Sequence, residues 1–397
     1  MSVTAVTCMI AFWVSAVVVG YTWVGYPLIL ALFSRWFGRW TRAPRGGEVS
    51  LPGVSLLIAA HNEEAVIGQR LRNALNLDYP ADKIEIVVVA DGCTDETTTI
   101  VNRFARQGVR LIEREQRRGK ASAINAAWDE LHGDIVLLSD ANTEMEQDAV
   151  RKLVRWFRNP KVGVVCGRLQ LTDPASGNNV DSLYWKYETH LKQWEGRLGA
   201  LPGANGGIYA IRKELFRSLP ENTLLDDLVI PMTARLHNTC VLVYDAEAVA
   251  HEEAAPDVAA EFRRRARIGA GGYQCLGRLW PILDPRQGWI AWTFMSHKLL
   301  RWLCPFFLLL LLVSNLLLVN RPFYLMTLLV LSAGTLTGLV AGFLPGRWRI
   351  LRPLRLLSMF VAMNLAIFVG FWHWLFQPQQ GTWQRTPRMA ESEVTCS

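Results

Sequence analysis

Close cysteine pairs are missing from this chain. Its seven cysteines, Cys8, Cys93, Cys166, Cys240, Cys275, Cys304 and Cys396, lie far apart, and no C-x-x-C occurs. That excludes a disulfide framework and suits a reducing compartment. Nucleotide-binding glycine fingerprints are absent too. No G-x-G-x-x-G follows the first apolar run, and Gly119-Lys120 lacks the glycine spacing and following Ser/Thr of a phosphate loop. His251-Glu252-Glu253 does not continue into H-E-x-x-H, because position 255 is Ala. A structural or channel-lining role is expected there rather than zinc. Charge is sparse, at 19% Asp, Glu, Lys and Arg, yet the net charge is +7. No aromatic–basic interleaving or zinc-finger spacing accompanies it, so nucleic acid is not an expected partner.

Apolar residues are abundant, at 51%, and they crowd the two ends. Cys8 to Leu32 is nearly uncharged. A span needs about 20 residues, at about 1.5 Å rise each across roughly 30 Å of hydrocarbon. The apolar core is too long for a signal peptide, so an anchor is expected. Three further spans are expected at about 301–319, 323–344 and 356–376, with Pro322 opening the second of them. Trp289, Trp292, Phe294 and Met295 mix with Gln287, Ser296, His297 and Lys298. That mixture suggests an interfacial amphipathic helix over 285–300, the alternative being the start of a longer span.

Arginines flank these segments: Arg35, Arg39, Arg42 and Arg45 after the first, and Arg347, Arg349, Arg352 and Arg355 before the last. Basic flanks mark the cytoplasmic side. Four spans put both flanks on that side and both termini outside. The expected layout is a first span with its basic flank (1–45), a cytoplasmic domain (46–284), three trailing spans (301–376) and a polar tail (377–397). A bacterial inner membrane and contact with its lipids are implied.

The middle region alternates apolar runs with helical spacing. Val54–Ala60, Ile84–Ala90, Val109–Ile112 and Ile135–Leu138 read as strands. Helical patterns fill the intervals, which indicates an α/β domain with a mostly parallel sheet. Ligands of such sheets bind beyond the carboxyl ends of the strands. Asn62, Glu63, Asp91 and Asp140 all stand at such ends. Asp91 suits a hydrogen bond to a base or ribose, or a plain Asp-Gly turn. Asp140 and Asn142 form D-x-N and share one side of an extended segment. Mg²⁺ or Mn²⁺ with a diphosphate suits these oxygen ligands. Lys120 is a candidate diphosphate contact or a surface lysine.

Asp226-Asp227 interrupts apolar sequence. The pair can cap a helix, or one acid can deprotonate a hydroxyl, with crowding raising its pKa. Arg264 and Arg267, at i and i+3, can neutralise a leaving diphosphate or meet anionic lipid.

The ordered stretches AAHNEE (59–64), ADGCTDET (90–97), GKASAIN (119–125), SDANT (139–143), PGANGGIYAIRKELF (202–216) and LLDDLV (224–229) resemble the membrane-integrated glycosyltransferases of family 2, with the GT-A fold. The layout is similar to small polysaccharide synthases. The resemblance implies a nucleotide diphosphate sugar donor, a UDP-sugar being favoured. Ala60, Asn62, Glu63, Asp91, Lys120, Ser139, Asp140, Arg264 and Arg267 would hold it. Asp140 and Asn142 would carry the metal, Asn142 standing where the family often has a second acid. Asp227 would be the catalytic base beside Asp226. Gly203, Ala204, Asn205 and Gly206 would lie by the acceptor. Inverting transfer to a growing polysaccharide is implied, with single transfer to a lipid-linked acceptor as the competitor. The family's processive Q-x-x-R-W is altered to Arg264-Arg265-Ala266-Arg267-Ile268, which removes an aromatic platform. A transporter or scaffold fits less well. The spans hold few ionisable residues, and a scaffold needs no acids at strand ends.

Overall fold

The computed structural model describes residues 2–44, 51–172, 183–254, 258–341, 352–377 and 381. The four apolar runs become β1–β4 of a sheet with eight strands among the described residues: β1 Val54–Ala60, β2 Ile84–Asp91, β3 Val109–Arg114, β4 Ile135–Asp140, β5 Thr143–Met145, β6 Val162–Thr172, β7 Tyr209–Arg212 and β8 Val241–Glu253. Their order is β3-β2-β1-β4-β7-β6-β8-β5. The four strands on the β3 side are parallel, as expected. The other half is mixed, and among the described residues parallel pairings still outnumber antiparallel ones, four to three, as the mostly parallel expectation has it. Strand β7 runs antiparallel to both β4 and β6, β6 is parallel to β8, and β5 is antiparallel to β8. Apolar runs report burial, not direction, so the reversal at β7 left no sequence mark.

The continuous runs are explained by two-sided burial. Leu57, Ala59, Val87, Val89, Val136 and Leu138 face one core. Their neighbours Leu56, Ile58, Val88, Ile135 and Leu137 face the other. Alternate residues of a strand point to opposite faces, so a sheet covered on both sides needs apolar residues at every position.

Thirteen helices are named in chain order. Helix α1 is Val3–Gly20, α2 Tyr26–Phe37, α3 Glu64–Leu75, α4 Thr97–Asn102, α5 Lys120–Trp128, α6 Ala149–Val154 and α7 Leu183–Arg197. Helix α8 is Asp226–Asn238, α9 Val258–Leu279, α10 Trp289–Phe294, α11 Leu300–Leu317, α12 Pro322–Ala341 and α13 Arg352–Phe376. Among the described residues, four helical segments are long and apolar enough to cross a membrane: Val3–Phe37, Trp289–Leu317, Pro322–Ala341 and Leu356–Phe376. The chain is a multi-pass membrane protein with its sheet domain on the cytoplasmic side. Arg45, Arg347 and Arg349 of the basic flanks lie outside the described residues.

The separate interfacial helix expected over 285–300 is not what forms. Pro285–Gln287 is a single 3₁₀ turn, and one helix then runs from Trp289 to Leu317. Ile290, Thr293, Phe294, Ser296 and His297 are buried, so protein rather than membrane surface covers this end. The run includes a π turn, Met295–Leu299, which packs against a second π turn, Tyr21–Gly25, in the first span. Tyr21 Oη lies 2.8 Å from Ser296 Oγ, and Trp292 Nε1 donates to Tyr21 Oη at 2.9 Å.

An ionic cluster fastens these spans to α7. Arg301 pairs with Glu188 at 2.5 Å, His297 meets Glu188 at 3.2 Å and Glu195 at 2.6 Å, and Tyr26 donates to Glu195 at 2.6 Å. Burial alone would raise the Glu188 carboxyl; Arg301 and His297 outweigh it and hold it well below the usual range. Helices α9 and α13 touch through glycines, where a Cβ on Gly370 would sit 2.4 Å from the Ala266 carbonyl.

Candidate active site

The carboxyl ends of β1, β2 and β4 carry the polar groups singled out in the sequence. At the end of β4, Asp140 points toward Lys120, the first residue of α5. Lys120 Nζ lies 2.6 Å from Asp140 Oδ1 and 3.2 Å from Asp226 Oδ2. Three distant stretches of chain thus meet at one ammonium. Burial pulls the Lys120 pKa down, but Asp140 and Asp226 more than offset it and hold the charge in place.

Asp226 and Asp227 open α8, where exposed N–H groups favour acids. Asp226 is buried and paired with Lys120. Asp227 is half-buried, and its carboxylate has no hydrogen-bond partner among the described residues. Burial and the adjacent Asp226 push its pKa up to about 6, against the opposing pull of Lys120 and Lys298. Its backbone carbonyl accepts from Ala204 N at 2.9 Å, which ties the 203–206 loop to this acid.

Gly206 lies between the two key acids. A Cβ there would sit 3.3 Å from Asp140 Oδ2 and 3.6 Å from Asp227 Oδ2. The missing side chain keeps the space before both oxygens open. Asn205 N donates to Cys166 Sγ at 3.2 Å and Asn205 Nδ2 to the Gly167 carbonyl at 2.7 Å. Gly203 has φ +123°, which suits glycine.

Asp91 sits at the expected strand end, fully buried. Its carboxylate accepts from Gly119 N at 2.6 Å and Arg118 N at 3.1 Å, and pairs with Arg114 at 3.3 Å. In this arrangement it clamps the turn that launches Lys120. Gly119 is the N-cap of α5 at φ +95°. Asn62 has φ +54° and exchanges hydrogen bonds with Thr94 at 2.8 and 3.1 Å, joining the ends of β1 and β2. Glu63 N donates to Thr97 Oγ1 at 2.8 Å, and Cys93 Sγ lies 3.7 Å from the Ala60 carbonyl. Ser139 accepts from buried Arg70 at 3.1 Å and donates to the Gly207 carbonyl at 2.9 Å.

Arg264 is held by Glu261 at 2.9 Å and its charge reaches Glu252; Arg267, one turn on, is exposed.

Arg70 and Lys192 escaped sequence reasoning, which met Glu252 only in a structural or channel-lining stretch and Lys298 only in the mixed 285–300 segment. Arg70 occupies the buried stripe of α3 with Ile67, Leu71 and Ala74, a position that was the available signal. Burial pushes its pKa down to about 10. Glu252 on β8 accepts from Asn142 Nδ2 at 3.3 Å. Burial and Asp140 raise it to about 7, with Arg264, Asn142 and Lys120 opposing.

No cluster of three His, Cys, Asp or Glu forms a metal cage among the described residues. The donor chemistry nevertheless fits a hard cation that shares its coordination with phosphate and water. Asp140 and Asn142 offer oxygens, and an ammonium already sits among Asp140 and Asp226. Gly206 leaves the approach clear. A separate cavity of about 920 Å³ lies near the opposite ends of β1 and β4, lined by Pro52, Gly133, Asp134 and Arg212. Arg155 beside it is spent on Asp245 at 2.8 Å and Glu247 at 2.6 Å.

Residues 55–219 match the family described as glycosyl transferase family 2. This segment belongs to that family. A probable glycosyltransferase of Bacillus subtilis (strain 168) is 32% identical over 203 residues, 47% of this chain and 47% of its own length. A beta-monoglucosyldiacylglycerol synthase of Synechocystis sp. is 30% identical over 270 residues, 65% of this chain and 56% of its own. The chain spans about half the length of these curated relatives. A mannosyltransferase from Pyrobaculum calidifontis, solved with GDP-Man and Mn²⁺, superposes with a TM-score of 0.68 at 21% identity, covering 92% of this chain and 99% of that one. The family 2 domain and its flanking spans share that overall fold.

Proposed function

We propose that this protein is a metal-dependent, inverting glycosyltransferase. It moves a sugar from a nucleotide diphosphate donor, a UDP-sugar being favoured, to a hydroxyl presented at the cytoplasmic membrane face. One observation carries the reading: Lys120, Asp140, Asp226 and Asp227 gather around the gap left by Gly206.

Asp227 takes the proton of the acceptor hydroxyl. Its raised pKa, about 6, keeps it ionised at neutral pH yet basic enough for that task. Asp226 holds Lys120 and crowds Asp227, so it tunes rather than attacks. Lys120 stands where the departing diphosphate gains charge. Asp91 fixes the Gly119 turn, and with it the start of α5. Asp140 and Asn142 would hold Mg²⁺ or Mn²⁺, which when bound would supply a Lewis acid to the diphosphate. The new C–O bond forms on the face opposite the leaving group. The Mn²⁺ of the Pyrobaculum protein supports the metal reading.

The lipid acceptor is favoured over a growing polysaccharide. The aromatic platform of processive enzymes is replaced by Ile268, and α9 is pressed onto α13 beside it. The Synechocystis relative, whose name specifies a glycosylated diacylglycerol, points the same way. The test is a panel of nucleotide sugars with membrane lipid and Mg²⁺ or Mn²⁺. Diphosphate release matched one for one by a single-sugar glycolipid supports the reading. Absence of any release sinks it, and a ladder of long products restores the polysaccharide acceptor.

A further inference from the structure

Two lysines besides Lys120 lie close to the Asp227 end of the site. Lys192 is on α7, and its ammonium donates to Asn205 Oδ1. Asn205 adjoins Gly206, the residue between the two acids. Lys298 comes from the π turn of the Trp289–Leu317 span, a local widening that recurs at functional sites. The preceding residue, His297, bonds Glu188 and Glu195 of α7. Lys192 is four residues after Glu188 and three before Glu195, so it shares the face His297 docks on. The ionic cluster thereby brings the two lysines within electrostatic reach of each other. Both act electrostatically on Cys166, whose sulfur accepts from Asn205 N, and Lys298 acts on Asp227.

The nearby acids form no ion pair with either lysine among the described residues. Glu188 meets Arg301 and His297, and Glu195 meets His297 and Tyr26 through one oxygen, its other oxygen making no hydrogen bond. Lys298 is half-buried and makes no hydrogen bond or ion pair among the described residues. Neither lysine contacts Asp140, where the donor diphosphate is placed, and Lys120 already serves that side. Recessed ammonium groups without a carboxylate partner are costly unless an anion joins them. Such an anion would sit beside the base and against a spanning helix.

We propose that Lys192 and Lys298 form an anion subsite next to Asp227, and that the acceptor is an anionic membrane lipid whose phosphate lies close to the hydroxyl that receives the sugar. This rests on the transferase reading above and narrows its acceptor. The phosphate spans the two ammonium groups and sets the neighbouring headgroup hydroxyl at Asp227. The hydroxyl proton passes to the Asp227 carboxylate, oxygen bonds to the anomeric carbon, and the bond from that carbon to the nucleoside diphosphate breaks. The leaving group carries away the electron pair. The phosphate itself is unchanged.

The experiment uses the purified full chain in phosphatidylcholine vesicles with a labelled nucleotide sugar. The acceptors are phosphatidylglycerol, neutral diacylglycerol, and soluble glycerol 3-phosphate. Phosphatidylglycerol should be used at least tenfold more efficiently than either of the others. K192Q and K298Q should each raise its KM about tenfold or more, while K298R, which keeps the charge and controls for folding, should restore it to within about threefold. Equal use of diacylglycerol overturns the anion subsite. Equal use of glycerol 3-phosphate overturns the lipid. A rise in donor KM with the acceptor KM unmoved assigns the lysines to the diphosphate and also overturns the proposal. D227N separates the two readings. If it still transfers to phosphatidylglycerol, the base assignment falls; if it is inactive while K192Q and K298Q match the wild type, the subsite falls.

Discussion

Lys120 and Asp140 form an ion pair of 2.6 Å between the first residue of α5 and the last residue of β4. The pair places a fixed positive charge at the strand ends, where the proposed donor diphosphate would lie. Removing the ammonium leaves Asp140 and Asp226 facing each other without their shared partner. K120Q is expected to lower kcat by roughly 10²–10³-fold, the scale seen when one preorganised charge stabiliser is lost. Steady-state kinetics at saturating donor check this. A loss under about threefold would remove Lys120 from the chemistry.

Gly206 offers a steric test at the same site. G206A adds a Cβ 3.3 Å from Asp140 Oδ2 and 3.6 Å from Asp227 Oδ2. No backbone strain accompanies it, since Gly206 is not among the positive-φ residues. The expected result is a folded protein, by unchanged melting temperature, with activity down by about 100-fold. G92A is the contrast. Gly92 has φ +61°, and its Cβ would lie 2.5 Å from Arg117 N. That variant should lose stability as well as activity.

Asp227 makes activity depend on pH. Its pKa is about 6, raised first by burial and then by Asp226. The base must be ionised, so kcat/KM should fall about tenfold per pH unit below that value and level off above it. Stability runs the other way. Between the unfolded value near 3.8 and about 6, the unfolded chain ionises this group while the folded chain holds the proton. Above about 6 the full penalty of the folded charge is present. D227N should therefore melt higher than the wild type at pH 7, with the gain fading as pH falls from 6 toward 4. A lower melting point for D227N would contradict this.

The Arg301–Glu188 pair, at 2.5 Å, fastens a span to the sheet domain. Both side chains are nearly buried, at 8% and 10% exposure. Breaking a buried pair by removing one partner costs about 3–5 kcal/mol. R301A in detergent should show a loss of that order by thermal or chemical unfolding, and E188Q a smaller one. An unchanged midpoint for R301A would mean that the cluster contributes nothing to holding the domain.

The parallel half of the sheet was legible because β1, β2 and β4 are apolar on both faces and end in polar residues. The mixed half was not. Strand β6 passes from Val162–Gly167 into the less buried Arg168–Thr172, and β8 ends in His251-Glu252-Glu253; neither looks like a core strand throughout. The acids were visible as Asp140, Asp226 and Asp227 because each interrupts apolar sequence. Asp91 was equally visible, yet its carboxylate is spent on the Gly119 turn, a pairing across 28 residues that spacing does not reveal. Lys192 and Lys298 gain meaning only when His297 docks onto α7. Helical pattern alone made Lys298 part of an interfacial segment, whereas burial by the domain makes it the recessed end of a span.

The most direct measurement is the anomeric configuration of the transferred sugar. The purified protein is given an α-linked nucleotide sugar, Mn²⁺ and a membrane lipid acceptor, and the product is examined by proton NMR. With Asp227 deprotonating the acceptor opposite a diphosphate held near Asp140 and Lys120, the new linkage should be β. An α linkage would contradict the single-displacement geometry and the role of Asp227 together.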